Sequence, residues 1–550
     1  MTLGYTYDGS LLTGTTSSGL VAGSVTRTYA TDFRVATESV NGANPITFQY
    51  DPDSLLTQAG SLSLTRNTQN GLLTWTTLGN VTDGLTYSTF GELSTYQASY
   101  SGSPQLNVQY TRDSLGRITQ KVETIGGVTA TTVYGYDTAG RLTDVTVDGS
   151  QVAHYEYDGN GNRLSVIRPG TGTVSGSYDA QDRLTTYGAV SYTYSANGDL
   201  QSTTSGGQTT TYNYDVFGNL TAATLPTGTQ IEYVIDGRNR RIGKRVNGTL
   251  VQAFLYGGHL SPVAELDGTG ATVSRFVYGT KLNVPDYMIK GSVTYRIVTD
   301  HLGSPRLIID TATGAVAQRL DYDEFGQMTF NTAPGFQPFG FAGGLYDPDT
   351  KLTRFGARDY DAFAGRWTAK DPIRFGGGGT NLYGYALDDP INLRDPMGLS
   401  ALGRLVKAYR VSRGGERELV KEVYSRSSQE LVNEVKRIAD KATEGSHIAV
   451  VAQSEGKAKA LAEALSPNSR ARGPEGRAPY PVHYNPRGGP YSNVHVEWGL
   501  AILAPNTLWL MNNPCTTMGE LLSAGLWDIA GAIDPIFLTD AIDWYFGIGR

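Results

Sequence analysis

One cysteine, Cys515, stands in 550 residues, so no intramolecular disulfide can staple this chain and its redox compartment stays open. Long apolar runs are missing too. No window of about 18 consecutive apolar residues occurs, which argues against a transmembrane helix. The first residues, MTLGYTYDGSLLTG, lack the charged leader, apolar stretch and small-residue cleavage site of a signal peptide. Charge is sparse: 18% of residues are Asp, Glu, Lys or Arg, which beside 34 Tyr and 16 Phe excludes a disordered chain. No P-loop is present either, since Glu455-Gly456-Lys457 lacks the upstream glycine of that motif.

What is there is glycine, 68 of them, and a repeat. YGYDTAGRLTDVTVDG (134–149), YEYDGNGNRLSVI (155–167), SYDAQDRLTTYG (177–188), YTYSANGDLQSTT (192–204) and YNYDVFGNLTAAT (212–224) are variants of one unit. YTRDSLGRITQKV (110–122) and YVIDGRNRRIGKRV (233–246) extend the series. Each unit predicts a hairpin: Tyr-x-Tyr ends a strand, Asp-x-x-Gly turns with glycine at the positive-φ position, and Arg/Asn-Leu-Thr starts the return strand. One such hairpin is marginal in water, so neighbours must share a continuous sheet. The Tyr-Asp pairs are scaffold rather than catalytic groups.

The repeats resemble the RHS/YD-repeat family, which includes toxin-complex components and secreted effectors. The segments 295–327 and 357–399, the second ending in NLRDPMGL, resemble the RHS-associated core that closes the family's repeats. The resemblance implies a mostly β protein: a spiralling, hollow β-sheet shell storing a small α+β C-terminal toxin domain. The expected divisions are repeats over 1–294, the core over 295–399 and a variable toxin domain over 400–550.

Two Asp-Pro dipeptides, Asp371-Pro372 and Asp395-Pro396, lie 24 residues apart, with Gly376–Gly379 between them to let the chain fold back. Two carboxyls brought together do not both ionise easily. One then serves as general acid while the other activates water. The plainer reading is that each Asp-Pro simply opens a turn, with Asp-Pro-x-Gly at Asp395. The family resemblance implies autoproteolysis without a cofactor, by Asp371 and Asp395, at the Leu399–Ser400 bond. It also aligns Arg366 with a basic residue that biases the pair, and puts Arg374 where many relatives have glycine. A cation there is expected to lower the pKa of Asp371.

After Ser400 the sequence turns basic and helix-forming: residues 400–491 carry 16 Lys and Arg against 10 Asp and Glu. A basic face meets nucleic acid or merely solvent. Ser427-Ser428-Gln429-Glu430 is a capping-box pattern ahead of a helical run, and 455–465 predicts a second helix. His447–Ala452 and 493–498 predict strands. On the latter, His495 and Glu497 share a face, and His483 precedes them among Arg470, Arg472, Arg477 and Arg487. Histidines to move protons and an arginine, Arg487, to stabilise charge suit phosphodiester cleavage. A divalent metal is open as a cofactor there. Cys515 is read as a bystander.

The expectation is therefore an RHS-type toxin with a nuclease warhead, secreted or delivered into target cells without a signal peptide. Its implied partners are delivery machinery, a cognate immunity protein and nucleic acid as substrate. A membrane-active tail is the alternative, weakened by Asp528, Asp534, Asp540 and Asp543 in the apolar segment. An adhesive wall-associated repeat protein is the other, and it predicts no cleavage at Leu399.

Overall fold

The computed structural model describes residues 2–399 and, beyond them, the backbone of six strands. From Thr2 to Asn331, 32 strands form one sheet. Each strand pairs antiparallel with the next in the chain, as in Val128–Tyr136 with Leu142–Val147 and Leu142–Val147 with Ser150–Tyr157. The ribbon continues through Tyr287–Lys290 and Val293–Thr299 as one more hairpin. Period-2 alternation decides its faces. In Ser103–Arg112, Leu106, Val108 and Tyr110 are buried while Asn107 and Gln109 are exposed.

The turns follow the repeat's chemistry. Asp137 Oδ1 accepts the Arg141 N–H at 2.9 Å and its Oδ2 accepts Arg141 Nε at 2.7 Å. The same guanidinium lies 4.9 Å from the Tyr157 ring centroid of the next repeat. Tyr136 in turn donates its hydroxyl to the Ile118 carbonyl at 2.6 Å. Each unit is thereby fastened to both neighbours. Gly140 and Gly161 supply the left-handed turn residue (φ 82 and 83). Asp182 and Asn239 do so at φ 60 and 56 in two repeats with no glycine at that position.

Distant strands meet in a regular progression. Arg27 donates to the Gly257 carbonyl, Arg296 pairs with Asp83 at 2.7 Å, Arg306 with Glu123 at 2.7 Å, and Arg168 with Asp323 at 3.0 Å. The partner advances along the chain with the residue it meets, and the separation narrows from 230 residues to 155. A ribbon that touches itself this way winds as a spiral.

Residues 336–397 pack against that ribbon. A four-stranded antiparallel sheet, Leu345–Tyr346, Leu352–Phe355, Arg358–Asp361 and Arg366–Trp367, stands at their centre. Its aromatic core is Phe341, Phe355, Tyr360, Trp367 and Tyr385, with Tyr360 and Tyr385 ring centroids 4.4 Å apart. Buried polar contacts dock it on the repeats: Lys244 to Asp347 at 2.7 Å, Arg241 to Asp359 at 2.9 Å and the Tyr383 hydroxyl to the Gly198 carbonyl at 2.8 Å. Buried pairs add little net stability but penalise wrong docking heavily, because a misplaced partner leaves a charge buried alone.

Beyond residue 400 the expectation of helix is corrected. Arg404–Val411 and Arg417–Ser425 are paired strands, and their Val and Tyr residues suit a pleated surface. His447–Ala452 and Val494–Trp498 are strands as expected and run parallel to each other. With Arg472–Glu475 and His483–Asn485 they complete a six-stranded sheet. The helices expected at 427–439 and 455–465 lie outside the described residues.

Candidate active site

Asp371 and Asp395 reach one place from two different turns. After Asp371 the chain makes a short 3-10 turn, Arg374–Gly377, reverses at Gly378 (φ 88) and returns to Leu382. The Leu382 carbonyl accepts the Asp371 N–H at 3.0 Å. Asp395 opens a turn closed by Gly398 (φ 65), whose N–H donates to the Asp395 carbonyl. The glycine-rich run does let the chain double back, and both aspartates are buried.

One cation holds them together. Arg358 Nη2 lies 2.9 Å from Asp371 Oδ2 and 3.3 Å from Asp395 Oδ2. Its Nε donates to the Gly398 carbonyl at 2.6 Å, and its Nη1 donates to the Leu382 carbonyl at 3.2 Å. The guanidinium sits 4.2 Å from the Trp367 ring centroid, buried. Four contacts from one planar fork tie both carboxyls to the Gly398 and Leu382 carbonyls. Sequence reasoning missed Arg358.

Arg366 does not reach the pair. It donates to the Asp182 carbonyl and lies over the rings of Tyr178 and Tyr383, at 4.9 and 5.1 Å. The reason is strand alternation: Trp367 faces Arg358, so its neighbour Arg366 faces the repeats. The expectation for Arg374 is corrected as well. Its side chain is exposed. The Asp371 carboxyl is pushed up, not down, because burial outweighs the opposing cation, which is Arg358.

Leu399 is held by Asp395 and lies near Asp371. Its N–H donates to Asp395 Oδ1 at 3.0 Å. On the other side Gly377 leaves a gap: a Cβ there would lie 2.6 Å from Asp371 Oδ2 and 2.7 Å from the Leu399 carbonyl oxygen. The carbonyl of the expected scissile bond and the Asp371 carboxylate thus flank one small space. A cavity of about 190 Å³ opens beside it, lined by Asp371, Asp395, Arg358, Asp388, Asn381 and Arg141. Asp388 is a third carboxyl that the sequence reading overlooked. Ser400 itself lies outside the described residues.

In the C-terminal sheet, His483 stands opposite Glu497 in the register of adjacent strands, and opposite Glu475 on its other side. His495 stands opposite Ala449. Arg487, Arg470, Arg477 and Cys515 lie outside the described residues. Among the described residues no group of three or more His, Cys, Asp or Glu side chains could hold a metal ion. No helix among them is long and apolar enough to cross a membrane.

A spiral of Tyr-Asp hairpins closed by an Asp-Pro-x-Gly-Leu turn defines the class, a YD-repeat shell with an RHS-type core. The chain belongs to the teneurin YD-shell family, which it matches over residues 1–391. Teneurin-4 of Mus musculus is 29% identical over 370 residues, covering 65% of this chain and 13% of that protein. The tRNA3(Ser)-specific nuclease WapA of Bacillus spizizenii is 29% identical over 277 residues, covering 48% of this chain and 12% of that protein. The chain therefore spans about an eighth of the length of these relatives. Among solved structures, the Tc holotoxin pore of Photorhabdus luminescens shares the fold with TM-score 0.56 at 16% identity, covering 69% of this chain and 21% of that one. The TcdB2-TccC3 structure does so with TM-score 0.57 at 18% identity, covering 68% and 22%.

Proposed function

We propose that this RHS/YD-repeat protein is a toxin carrier that cuts its own chain after Leu399 and so frees residues 400–550. The observation that carries the reading is the Arg358-bridged aspartate pair with the Leu399 N–H on one carboxylate and the Leu399 carbonyl beside the other. In this reading water adds its oxygen to the Leu399 carbonyl carbon and gives a proton to Asp395. Asp371, whose carboxyl burial pushes up, protonates the Ser400 nitrogen as the C–N bond breaks. The products are a Leu399 carboxylate and a Ser400 amine. No metal or other cofactor is needed. Asp371→Asn leaves the chain whole on a denaturing gel if this is right. Cleavage of that variant at the wild-type rate overturns it.

The freed domain is read as a nuclease. Support comes from the His483–Glu497 register and from a relative named as a tRNA-specific nuclease. His495, Glu497 and His483 are assigned to proton transfer and Arg487 to the charged transition state, with a divalent metal as the open question. Incubating the self-cleaved protein with tRNA and DNA, with and without chelator, tests this. Degradation lost in His495→Ala supports it, and intact nucleic acid under every condition removes it. A toxin of this kind implies delivery into target cells and an immunity protein that guards the producer.

A further inference from the structure

The cavity beside the aspartate pair contains a carboxyl that the cleavage reading does not use. Asp388 lines it and is 9% exposed, and its carboxylate makes no hydrogen bond or ion pair among the described residues. Its placement is costly. Ala386, Leu387 and Asp388 are three consecutive residues in the left-handed region, with φ of 51, 53 and 59, a conformation that strains Ala and Leu in particular. Across the cavity the repeat turn at Gly161 abuts the group: a Cβ there would lie 2.6 Å from Asp388 Oδ2. Glycine at that turn leaves the carboxyl its space.

The charges around Asp388 come from three sides. Arg141 and Arg163 face it from the repeats and Arg366 from the four-stranded sheet, with Asp137 as an opposing carboxylate and the phenols of Tyr157 and Tyr178 nearby. Burial outweighs the cations and pushes its carboxyl up to about 7. In the pair, burial likewise raises Asp371 and a cation opposes it. Hydrolysis needs one proton shared between Asp371 and Asp395, yet Arg358 between them favours losing it. Asp388 adds a third carboxyl to the lining of the same cavity.

We propose that Asp388 is a positioning residue of the self-cleavage site, a third carboxyl whose charge makes the aspartate pair keep its working proton to higher pH. The inference rests on the self-cleavage reading above. Asp388 touches no reacting atom. As pH rises and it ionises, the pair binds its remaining proton more tightly, so cleavage persists further into the alkaline range.

The test is the pH dependence of self-cleavage in the full chain, each variant scaled to its own maximum. In Asp388→Asn, which suits a left-handed position, the alkaline limb moves down by about half to one pH unit. Asp388→Glu restores it toward wild type. Should the asparagine variant fail to fold, Asp388→Ser removes the same charge and gives the same shift. Superimposed limbs for wild type and the uncharged variants overturn the proposal while leaving self-cleavage standing. So does an uncharged variant that melts like wild type yet stays whole at every pH. A wild-type chain that never cleaves removes the underlying reading instead.

Discussion

Gly377 is the residue where a single methyl group tests the site's geometry. Its backbone is not in the left-handed region, so alanine is tolerated conformationally, yet the new Cβ would meet both Asp371 Oδ2 and the Leu399 carbonyl oxygen. Gly377→Ala is therefore expected to slow self-cleavage at least tenfold, read by timed gels, and to cost about 1 kcal/mol of stability by overpacking, read by urea denaturation. An unchanged cleavage rate contradicts the placement of that carbonyl. Arg358→Lys keeps the charge but cannot make four contacts from one plane, and it should slow cleavage by roughly tenfold or more. The two aspartates were legible because each precedes a proline and the second, in Asp-Pro-x-Gly-Leu, falls where composition changes. Arg358 was not. Its role depends on which face of Arg366–Trp367 meets the pair, and a two-residue strand carries no periodic pattern to reveal that.

The repeat hairpin has its own test, because the same Asp-Arg pair occurs at different depths. Asp236 and Arg240 are buried, with side chains 0% and 5% exposed, whereas Asp179 and Arg183 keep 29% and 26% exposed. Asp236→Ala leaves Arg240 buried without its partner and should cost about 3 kcal/mol or more. Asp179→Ala should cost about 1 kcal/mol, since water reaches the guanidinium. Urea midpoints of the two variants measure the difference, and equal losses would contradict the account of depth. These hairpins were readable from sequence down to the turn residue, since period-2 alternation and a positive-φ glycine leave little choice. Asp182 and Asn239 replacing that glycine were harder to see. The strands Arg404–Val411 and Arg417–Ser425 went the other way. The stretch after Ser400 reads as basic and helix-forming, but Val and Tyr at cross-strand positions prevail when a neighbour is available to pair.

The whole molecule winds a marginal element into a stable one, since each turn of the ribbon and the core segment 336–397 bury what a lone hairpin would expose. That burial encloses carboxyls, and the chain's stability should record it. Burial and the neighbouring Glu324 push Asp323 up, burial pushes Asp388 up to about 7, and Asp361 and Asp371 shift the same way. The folded chain holds these protons more tightly than the unfolded chain. Their contribution is thus full below the ordinary carboxyl pKa near 4 and is lost as pH rises, through about 7 for Asp323 and Asp388. The urea midpoint should be higher at pH 5.5 than at pH 8.5, and Asp323→Asn should flatten that slope. A midpoint that rises with pH would contradict this. The spiral was foreseeable only through the family resemblance, because no local pattern says that residue 27 meets residue 257.

The intact mass of the purified chain beside that of its Asp395→Asn variant tests the central claim most directly. The account predicts that the wild type splits into residues 1–399 and 400–550 while the variant stays whole, since Asp395 both accepts the Leu399 N–H and shares Arg358 with Asp371. A wild-type chain that remains a single species would contradict it, and the paired Asp-Pro turns would then be turns alone.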